Sequence, residues 1–311
     1  MIVFDARNCG LGPNGGSRTI IKCCETLNKL GYKSEILSNI DNFKWFSHRP
    51  IIKSIPKNTE VLVAVSSKDV KNVINSKIKK KVWYARGFES WQTNENKLID
   101  LFKQENILKI VNSNGLQKKL ESFGVESHVV YQGVDLDFWK DLGLRNDKKI
   151  RIGCLYNPRH KTKHWDHFQY IAKRLDKKKY EFVGFGTSKS KDDFLSDFIT
   201  NPTEKDLRNF YNTCHIWFSP TTNEGLHNVS MEAALCGCLI VCNDHPDNGM
   251  IFDYAFKDKT AMIYDYKKFK ESVDLIKNPN WKLIEMMKNH IKDNISNRET
   301  NMRKFVETIN G

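Results

Sequence analysis

Short apolar runs alternate with longer amphipathic stretches along most of the chain. In the first half, runs of strand length occupy residues 1–5, 34–37, 61–65, 81–85, 110–112 and 127–131. Between them, apolar residues at helical spacing predict helices at residues 17–30, 69–78, 97–104 and 115–123. This alternation predicts a parallel sheet that is covered by helices on both faces.

The same pattern begins again after a polar segment at residues 135–149. Strands are predicted at residues 150–155, 180–183, 216–219 and 239–242, and helices at 165–175, 204–213, 228–236 and, with a break at Pro279, 275–309. We therefore expect an N-terminal Rossmann-like domain at 1–145 and a second one at 146–295. A final helix at 296–311 is expected to pack back on the first domain. Two such domains joined by a linker form a cleft, and ligands of parallel sheets bind at the carboxyl ends of the strands.

The size and charge of the chain restrict its class further. Its 311 residues agree with about two domains, and 40% hydrophobic residues exclude wholesale disorder. Fifty Lys and Arg against 37 Asp and Glu give a formal charge of +13, which attracts nucleic acid, anionic lipid or nucleotides alike. No apolar run approaches the roughly 20 residues that cross a bilayer, and no signal-peptide pattern opens the chain. We expect a cytoplasmic protein, and the excess positive charge favours either solubility or peripheral attachment to an anionic membrane.

Neither the cysteines nor a group of histidines predicts a metal site. Cys236, Cys238 and Cys242 lie in an apolar run and lack the paired spacing of zinc modules, so buried thiols are expected. His160, His164 and His167 have spacings that would place three imidazoles on one face of a helix. Their segment begins in a loop that is crowded with lysines, which disfavours a bound cation.

A glycine-rich turn follows the first predicted strand. Gly10, Gly12, Gly15 and Gly16 precede the first helix, where glycine allows close backbone approach and free helical N–H groups favour an anion. The spacing matches neither the dinucleotide-binding fingerprint nor the P-loop. Two interpretations of this turn remain open: it contacts a ligand, or it is merely a flexible loop.

The strongest feature is a pair of glutamates in the second half. Glu224 and Glu232 are separated by seven residues, on a loop and on an early helical turn if the helix begins near Asn228. The amides of Asn228 and Val229 would then lie at a positive helix end that suits a diphosphate, and the two carboxylates would accept hydroxyls of a sugar and a ribose. Alternatively, Glu232 complements the helix dipole and Glu224 is solvated.

The sequence around these glutamates is similar to that of a known family. Residues 224–241 have the sequence EGLHNVSMEAALCGCLIV, which resembles the E-x7-E signature of retaining glycosyltransferases of family four. The preceding segment 206–220 and the segments 110–116 and 131–139 of the first half also resemble this family. The resemblance implies the GT-B fold, in which two Rossmann-like parallel-sheet domains face a central cleft.

The resemblance also implies roles for individual residues. Glu224 would hold hydroxyls of the transferred sugar, Glu232 the ribose hydroxyls, and the amides of Asn228 and Val229 the diphosphate. Gly15 and Gly16 would approach the donor phosphates and the acceptor.

The family also uses an Arg and a Lys to neutralise the leaving diphosphate. The usual Arg position is occupied here by Cys154. Arg159 and Lys163 are the candidates for the cationic pair, with Lys161 as the alternative to Lys163.

Three further residues complete the candidate substrate-binding set. A histidine that is usual in the family's first domain is not evident, and Arg86 and Glu89 follow a strand at the corresponding place. Gly186, after the strand at 180–183, is included as well.

The expected reaction moves a hexose-type sugar from a UDP- or GDP-linked donor to a hydroxyl of a glycan, glycolipid or glycoprotein. The resemblance implies retention of anomeric configuration, with no metal and no cofactor. Two alternatives remain open, a nucleotide-sugar epimerase of the same architecture and a non-catalytic basic protein that binds nucleic acid or an anionic surface. A phosphorylase is disfavoured because the sequence has no evident lysine context for pyridoxal. The paired glutamates argue against a specific nucleic-acid partner.

Overall fold

The computed structural model describes residues 1–45, 50–146, 148–157 and 160–311. These residues form two compact units. The N-terminal unit comprises Met1–Gly133 and Asn297–Gly311, and the C-terminal unit comprises Val134–Ser296. Each unit contains one parallel sheet with helices, so the predicted α/β fold of two Rossmann-like sheets is confirmed.

The N-terminal unit is built on a seven-stranded sheet. Its strands are β1 (Ile2–Asp5), β2 (Ser34–Leu37), β3 (Ile51–Ile52), β4 (Val61–Ala64), β5 (Lys80–Ala85), β6 (Leu108–Val111) and β7 (His128–Val129). Their order is β3-β2-β1-β4-β5-β6-β7, and all pairs are parallel. The helices of this part of the chain are α1 (Gly15–Lys29), α2 (Val70–Ile74), α3 (Glu95–Phe102) and α4 (Asn114–Glu121).

The C-terminal unit is built on a six-stranded sheet. Its strands are β8 (Ile150–Tyr156), β9 (Tyr180–Gly186), β10 (Asp197–Thr200), β11 (Ile216–Ser219), β12 (Leu239–Asn243) and β13 (Met262–Tyr264), in the parallel order β10-β9-β8-β11-β12-β13. Its helices are α5 (Trp165–Arg174), α6 (Glu204–Thr213), α7 (Asn228–Leu235), α8 (Met250–Asp253), α9 (Ser272–Lys277) and α10 (Leu283–His290). Both sheets therefore reverse their strand order in the middle, at β1/β4 and at β8/β11.

The last helix, α11 (Arg298–Asn310), belongs to the core of the N-terminal unit. Its Phe305 lies against Phe4 and Tyr84, with ring centroids 6.1 and 5.3 Å apart. Met302 and Phe305 are fully buried, so α11 covers one face of this sheet.

The boundary between the units falls between Gly133 and Val134, earlier than the expected boundary at 145/146. The polar segment that was expected to close the first domain is held by the second. Asn212 of α6 donates to the carbonyl of Lys140 and accepts from the amide of Leu142, and Arg145 donates to the carbonyl of Cys236. These hydrogen bonds connect parts of the chain that are far apart in sequence, so the apolar pattern does not indicate them.

The cysteines of the chain are free thiols. Cys236, Cys238 and Cys242 are buried in the C-terminal unit, and Cys238 donates to the carbonyl of Tyr211. Burial raises the pKa of Cys238 well above its ordinary value, which keeps it protonated. Among the described residues, no helix combines the length and apolarity needed to cross a membrane.

Candidate functional site

The candidate site lies at the reversal of strand order in the C-terminal sheet. Strands β8 and β11 are neighbours there, and the loops that follow them both start at the carboxyl edge of the sheet. The first loop leads through a short 3-10 turn, Lys161–Lys163, into α5, and the second leads through Glu224 into α7. The reversal of strand order is where open parallel sheets bind their ligands.

Lys163 and Glu224 meet at this edge. The amino group of Lys163 contacts Oε1 of Glu224, and the two side chains are 18% and 15% exposed. Thr221 Oγ1 donates to the same oxygen at 2.9 Å, and His227 Nε2 lies 3.5 Å from it. Burial raises the pKa of Glu224, but Lys163, His227 and the hydrogen bonds from Lys163 and Thr221 lower it to a net value below the ordinary one. Glu224 is therefore a partly buried, ionised carboxylate.

A second loop, at residues 244–249, fixes the backbone of Glu224. The Glu224 amide donates to the carbonyl of Asp247 at 3.0 Å, and the Gly249 amide donates to the carbonyl of Glu224 at 3.0 Å. A Cβ on Gly249 would overlap the carbonyl oxygen of Gly225, so this approach requires glycine. The buried Asn243 side chain donates to the carbonyls of Pro220 and Thr221 and holds the start of the Glu224 loop.

The turn that carries Lys163 is tied to the same loop. The Thr222 amide donates to the carbonyl of Thr162 at 2.9 Å, and His164 Nε2 lies 3.0 Å from Thr222 Oγ1. His164 takes a positive φ of 45°, which separates the turn from α5. The structure brings Lys163 to Glu224 and leaves Lys161 exposed. Arg159, the other proposed cation, lies outside the described residues.

Helix α7 carries the other residues singled out in this segment. It begins at Asn228, so Asn228 and Val229 occupy the first turn, where amide groups point beyond the helix end. Glu224 precedes the helix on its loop, and Glu232 lies in the helix and is 4% exposed. His227 precedes the helix with a φ of 33°. Gly186 ends β9, and a Cβ there would crowd the backbone of Tyr156.

Two candidate residues of the N-terminal unit, Arg86 and Glu89, bind loops at the carboxyl edge of the N-terminal sheet. Helix α1 begins at Gly15, and Arg86 donates to the carbonyls of Gly16 and Val65. The buried Glu89 accepts from the amide and the hydroxyl of Ser67, at 2.8 and 2.7 Å. Arg86 and Glu89 therefore bind neighbouring loops in this structure, which is a role that the sequence analysis did not assign to them.

The histidines near α5 show only part of the predicted grouping. Ligand atoms of His164, Asp166 and His167 lie within 4.8 Å of one another, and His160 is not in this group. The His167 ring stacks on Phe269 with centroids 4.1 Å apart, and among the described residues its Nδ1 has no hydrogen-bond partner. A histidine that binds a metal usually donates its second ring nitrogen to a carbonyl or carboxylate. This arrangement favours packing of His167 over ligation.

Several residues of the site were missed by sequence reasoning. Thr221, Asn243, Asp247 and Gly249 act through contacts between loops that follow different strands. The Asn-Gly pair at residues 248–249 indicates a turn, but nothing in the sequence shows which loop that turn meets.

Comparison with solved structures gives the same fold throughout the chain. Sucrose-phosphate synthase from Thermosynechococcus elongatus is 10% identical with a TM-score of 0.80, and the match covers 98% of this chain and 97% of that one. HepE from Anabaena in complex with UDP-glucose is 14% identical with a TM-score of 0.79, over 99% of both chains. WaaG, a glycosyltransferase involved in lipopolysaccharide biosynthesis, is 10% identical with a TM-score of 0.70, over 100% of both chains.

The likeness to these proteins is one of fold. The sequence matches no protein-family model and no curated protein. The shared architecture is the GT-B fold, in agreement with the prediction from the sequence.

Proposed function

We propose that the protein is a retaining glycosyltransferase of the family-four type. It moves a hexose-type sugar from a nucleotide-diphosphate sugar to an acceptor hydroxyl. The observation that carries the proposal is the contact between Lys163 and Glu224 at the strand-order reversal of the C-terminal sheet, beside the start of α7. The proposed reaction requires two groups at this edge of the sheet: a carboxylate that accepts hydroxyls of the sugar and a cation that binds the diphosphate. The solved complexes of HepE with UDP and UDP-glucose support a UDP-linked sugar as the first donor to test.

Glu224 is the residue proposed to bind the transferred sugar. In the described part of the chain, the polar contacts of its carboxylate all involve Oε1. Oε2 is then the oxygen that accepts hydroxyls of the sugar. Because the pKa of Glu224 lies below its ordinary value, the carboxylate is ionised and accepts strong hydrogen bonds at neutral pH.

The nucleotide part of the donor is assigned to α7 and its surroundings. Glu232 accepts the ribose hydroxyls, and the amides of Asn228 and Val229 bind the diphosphate at the positive helix end. Gly186 leaves room for the nucleotide at the end of β9.

Lys163 neutralises the diphosphate as it leaves. Negative charge grows on the diphosphate oxygens in the transition state, while the sugar acquires oxocarbenium character. A cation held in place stabilises that charge more in the transition state than in the ground state. In this structure Lys163 neutralises Glu224. Arg159 is proposed as the second cation and Lys161 as an alternative to Lys163.

Retention requires the acceptor to enter on the face that the diphosphate leaves. A phosphate oxygen of the leaving group takes the acceptor proton, so the reaction as proposed needs neither a protein base nor a metal. The glycine loop with Gly15 and Gly16 serves the acceptor and the donor phosphates. Arg86 supports that loop through the carbonyl of Gly16, and Glu89 holds the neighbouring loop at Ser67. The acceptor is a glycan, glycolipid or glycoprotein, and the excess of positive charge favours peripheral association with an anionic membrane.

A panel of nucleotide sugars tests the proposal. Thermal stability is measured with UDP-glucose, GDP-mannose, ADP-glucose and dTDP-glucose, each beside its free nucleoside diphosphate. We expect the ligands that carry one particular nucleobase to raise the melting temperature clearly, because a ligand that binds only the folded state stabilises that state. The selected donor is then incubated without acceptor. Conversion to an epimeric nucleotide sugar would replace the transferase proposal with an epimerase. A polynucleotide is included in the panel, and stabilisation by it alone would replace the proposal with a nucleic-acid-binding protein.

A further inference from the structure

His227 is buried beside Glu224 and makes polar contacts through both ring nitrogens and its carbonyl. Its Nε2 lies 3.5 Å from Glu224 Oε1, and its Nδ1 lies 2.8 Å from Ser230 Oγ. Its carbonyl accepts from the Tyr254 hydroxyl at 2.9 Å, and its side chain is 6% exposed. The backbone takes a φ of 33°, in a left-handed region that is uncommon for residues other than glycine and in which Asn, Asp and His are enriched.

We propose that His227 is a positioning residue for Glu224. Its imidazole donates from Nε2 to Glu224 Oε1. This hydrogen bond keeps the carboxylate oriented towards the sugar once Lys163 binds the diphosphate and no longer contacts Glu224. The assignment of a sugar to Glu224 rests on the proposed function, whereas the direction of the hydrogen bond does not.

The surroundings of the ring decide which nitrogen carries the proton. Nε2 faces an ionised carboxylate, which accepts hydrogen bonds and repels a lone pair. The hydroxyls of Ser230 and Ser219, 2.8 and 3.4 Å away, can donate to Nδ1, so both ring nitrogens are satisfied when the proton is on Nε2. Met250 Sδ also lies 3.3 Å from Nδ1, but a thioether is a much weaker acceptor than the carboxylate that Nε2 faces. Burial lowers the pKa of His227 to about 4 despite the opposing effect of Glu224, and Lys163 lowers it further, so the ring is neutral at pH 7.

The need for a second hydrogen-bond donor follows from the dual use of Lys163. When Lys163 neutralises a diphosphate, Glu224 loses the contact that balances its charge in this structure. Thr221 Oγ1 then remains hydrogen-bonded to Oε1, and His227 Nε2, 3.5 Å from the same oxygen, is the second neutral donor within reach of it. Because both act on Oε1, they leave Oε2 for the sugar.

Two substitutions separate positioning from a purely structural role. In His227→Gln the amide nitrogen takes the place of Nε2 and can still donate to Glu224. In His227→Asn the shorter amide takes the place of Nδ1 and cannot reach Glu224, although asparagine adopts positive φ more readily than glutamine. A structural role therefore predicts that the Asn variant performs at least as well as the Gln variant, and a positioning role predicts the reverse.

Calorimetric titration with UDP-glucose and with UDP provides the readout. UDP lacks the hexose that Glu224 would bind. We expect His227→Asn to raise the Kd for UDP-glucose about tenfold relative to His227→Gln, because a hydrogen bond to a charged group is lost. The Kd for UDP is expected to stay within about twofold among all three proteins. Equal UDP-glucose affinities of the two variants, or parallel weakening of both ligands, would overturn the proposal.

Nitrogen-15 NMR of histidine-labelled wild-type protein tests the hydrogen bond without any ligand. The His227 signal is assigned by its loss in either variant. We expect a protonated Nε2 and an unprotonated Nδ1 at pH 7, and the opposite tautomer or a doubly protonated ring would contradict the proposal. If wild-type protein binds neither UDP-glucose nor UDP, the choice of donor fails, and this spectrum still decides the role of His227.

Discussion

The amino group of Lys163 contacts Oε1 of Glu224 across 61 positions of the sequence. The contact joins the turn after β8 to the loop after β11, where the strand order of the C-terminal sheet reverses. A charged pair that is about four-fifths buried has lost most of its hydration, so each residue depends on the other. The same pair supplies the cation and the carboxylate of the proposed reaction.

Removing one charge of this pair should destabilise the protein more than removing both charges. Lys163→Met leaves the Glu224 carboxylate partly buried without its cation, and we expect a loss of about 3 kcal/mol in the free energy of unfolding. The double variant with Glu224→Gln should lose clearly less than the sum of the two single losses. Urea denaturation of the four proteins measures this coupling. Additive single effects would show that the two charges do not interact.

Gly249 should resist substitution because its backbone lies against the Glu224 loop. A Cβ at this position would overlap the carbonyl oxygen of Gly225 and would lie 2.8 Å from that of Glu224. We expect Gly249→Ala to destabilise the protein by about 2–3 kcal/mol and to displace Glu224. Gly87→Ala is the matched control, since a Cβ on Gly87 would make only an ordinary 3.5 Å contact with Trp91. Similar melting temperatures for the two variants would refute the close approach at Gly249.

The glycine loop of the N-terminal unit offers a second matched pair. A Cβ on Gly15 would meet no atom within 4 Å, whereas one on Gly16 would lie 2.9 Å from Nη1 of Arg86. Gly15→Ala is expected to raise stability by about 0.5 kcal/mol. Gly16→Ala is expected to lower it by about 1 kcal/mol, because the Arg86 guanidinium has to move and loses its hydrogen bond to the Gly16 carbonyl. If Gly15 contacts the substrates, its variant also loses transferase activity despite its stability. Stability and activity are measured on the same preparations, and full activity of Gly15→Ala would remove Gly15 from the site.

Two buried histidines should make the C-terminal unit sensitive to acid. Burial lowers the pKa of both His167 and His227 to about 4, from an ordinary value of 6.5. Between these values the unfolded chain binds more protons than the folded one, so stability is complete above pH 6.5 and falls as the pH drops towards 4. Each histidine contributes up to about 3 kcal/mol to this loss. Glu224, whose folded pKa is lowered, adds a further loss at lower pH, as the pH falls through that folded value.

His167→Phe tests this assignment because phenylalanine keeps the stacking on Phe269 and cannot titrate. Urea unfolding at pH 7.0, 5.5 and 4.5 should show a weaker pH dependence in the variant than in the wild type. An unchanged slope would mean that His167 is not buried as a neutral ring.

Most of the fold follows from local periodicity, and the exceptions share a physical cause. The predicted helix at 204–213 and the strand at 216–219 coincide with α6 and β11 because their apolar spacing is regular. Strands β3, β10 and β13 lie outside the predicted elements. They are strands because a neighbouring strand supplies their hydrogen bonds.

The candidate site follows from the sequence only in part. The spacing of Glu224 and Glu232 indicated one residue on a loop and one in a helix, and the structure has them in these positions. The contact of Lys163 with Glu224 could not be derived, because it depends on which strands are neighbours. The carbonyls that Arg86 binds and the serine that Glu89 binds are also contacts between loops, which no local pattern encodes.

Release of nucleoside diphosphate from the selected sugar donor, in wild type, Lys163→Ala and Glu224→Ala, tests the central claim most directly. Folding of each variant is checked separately by its melting curve and circular dichroism. We predict that both folded variants lose at least about a hundredfold in turnover, because one lacks the cation for the leaving group and the other the carboxylate for the sugar. Turnover near that of the wild type in both variants would contradict the account.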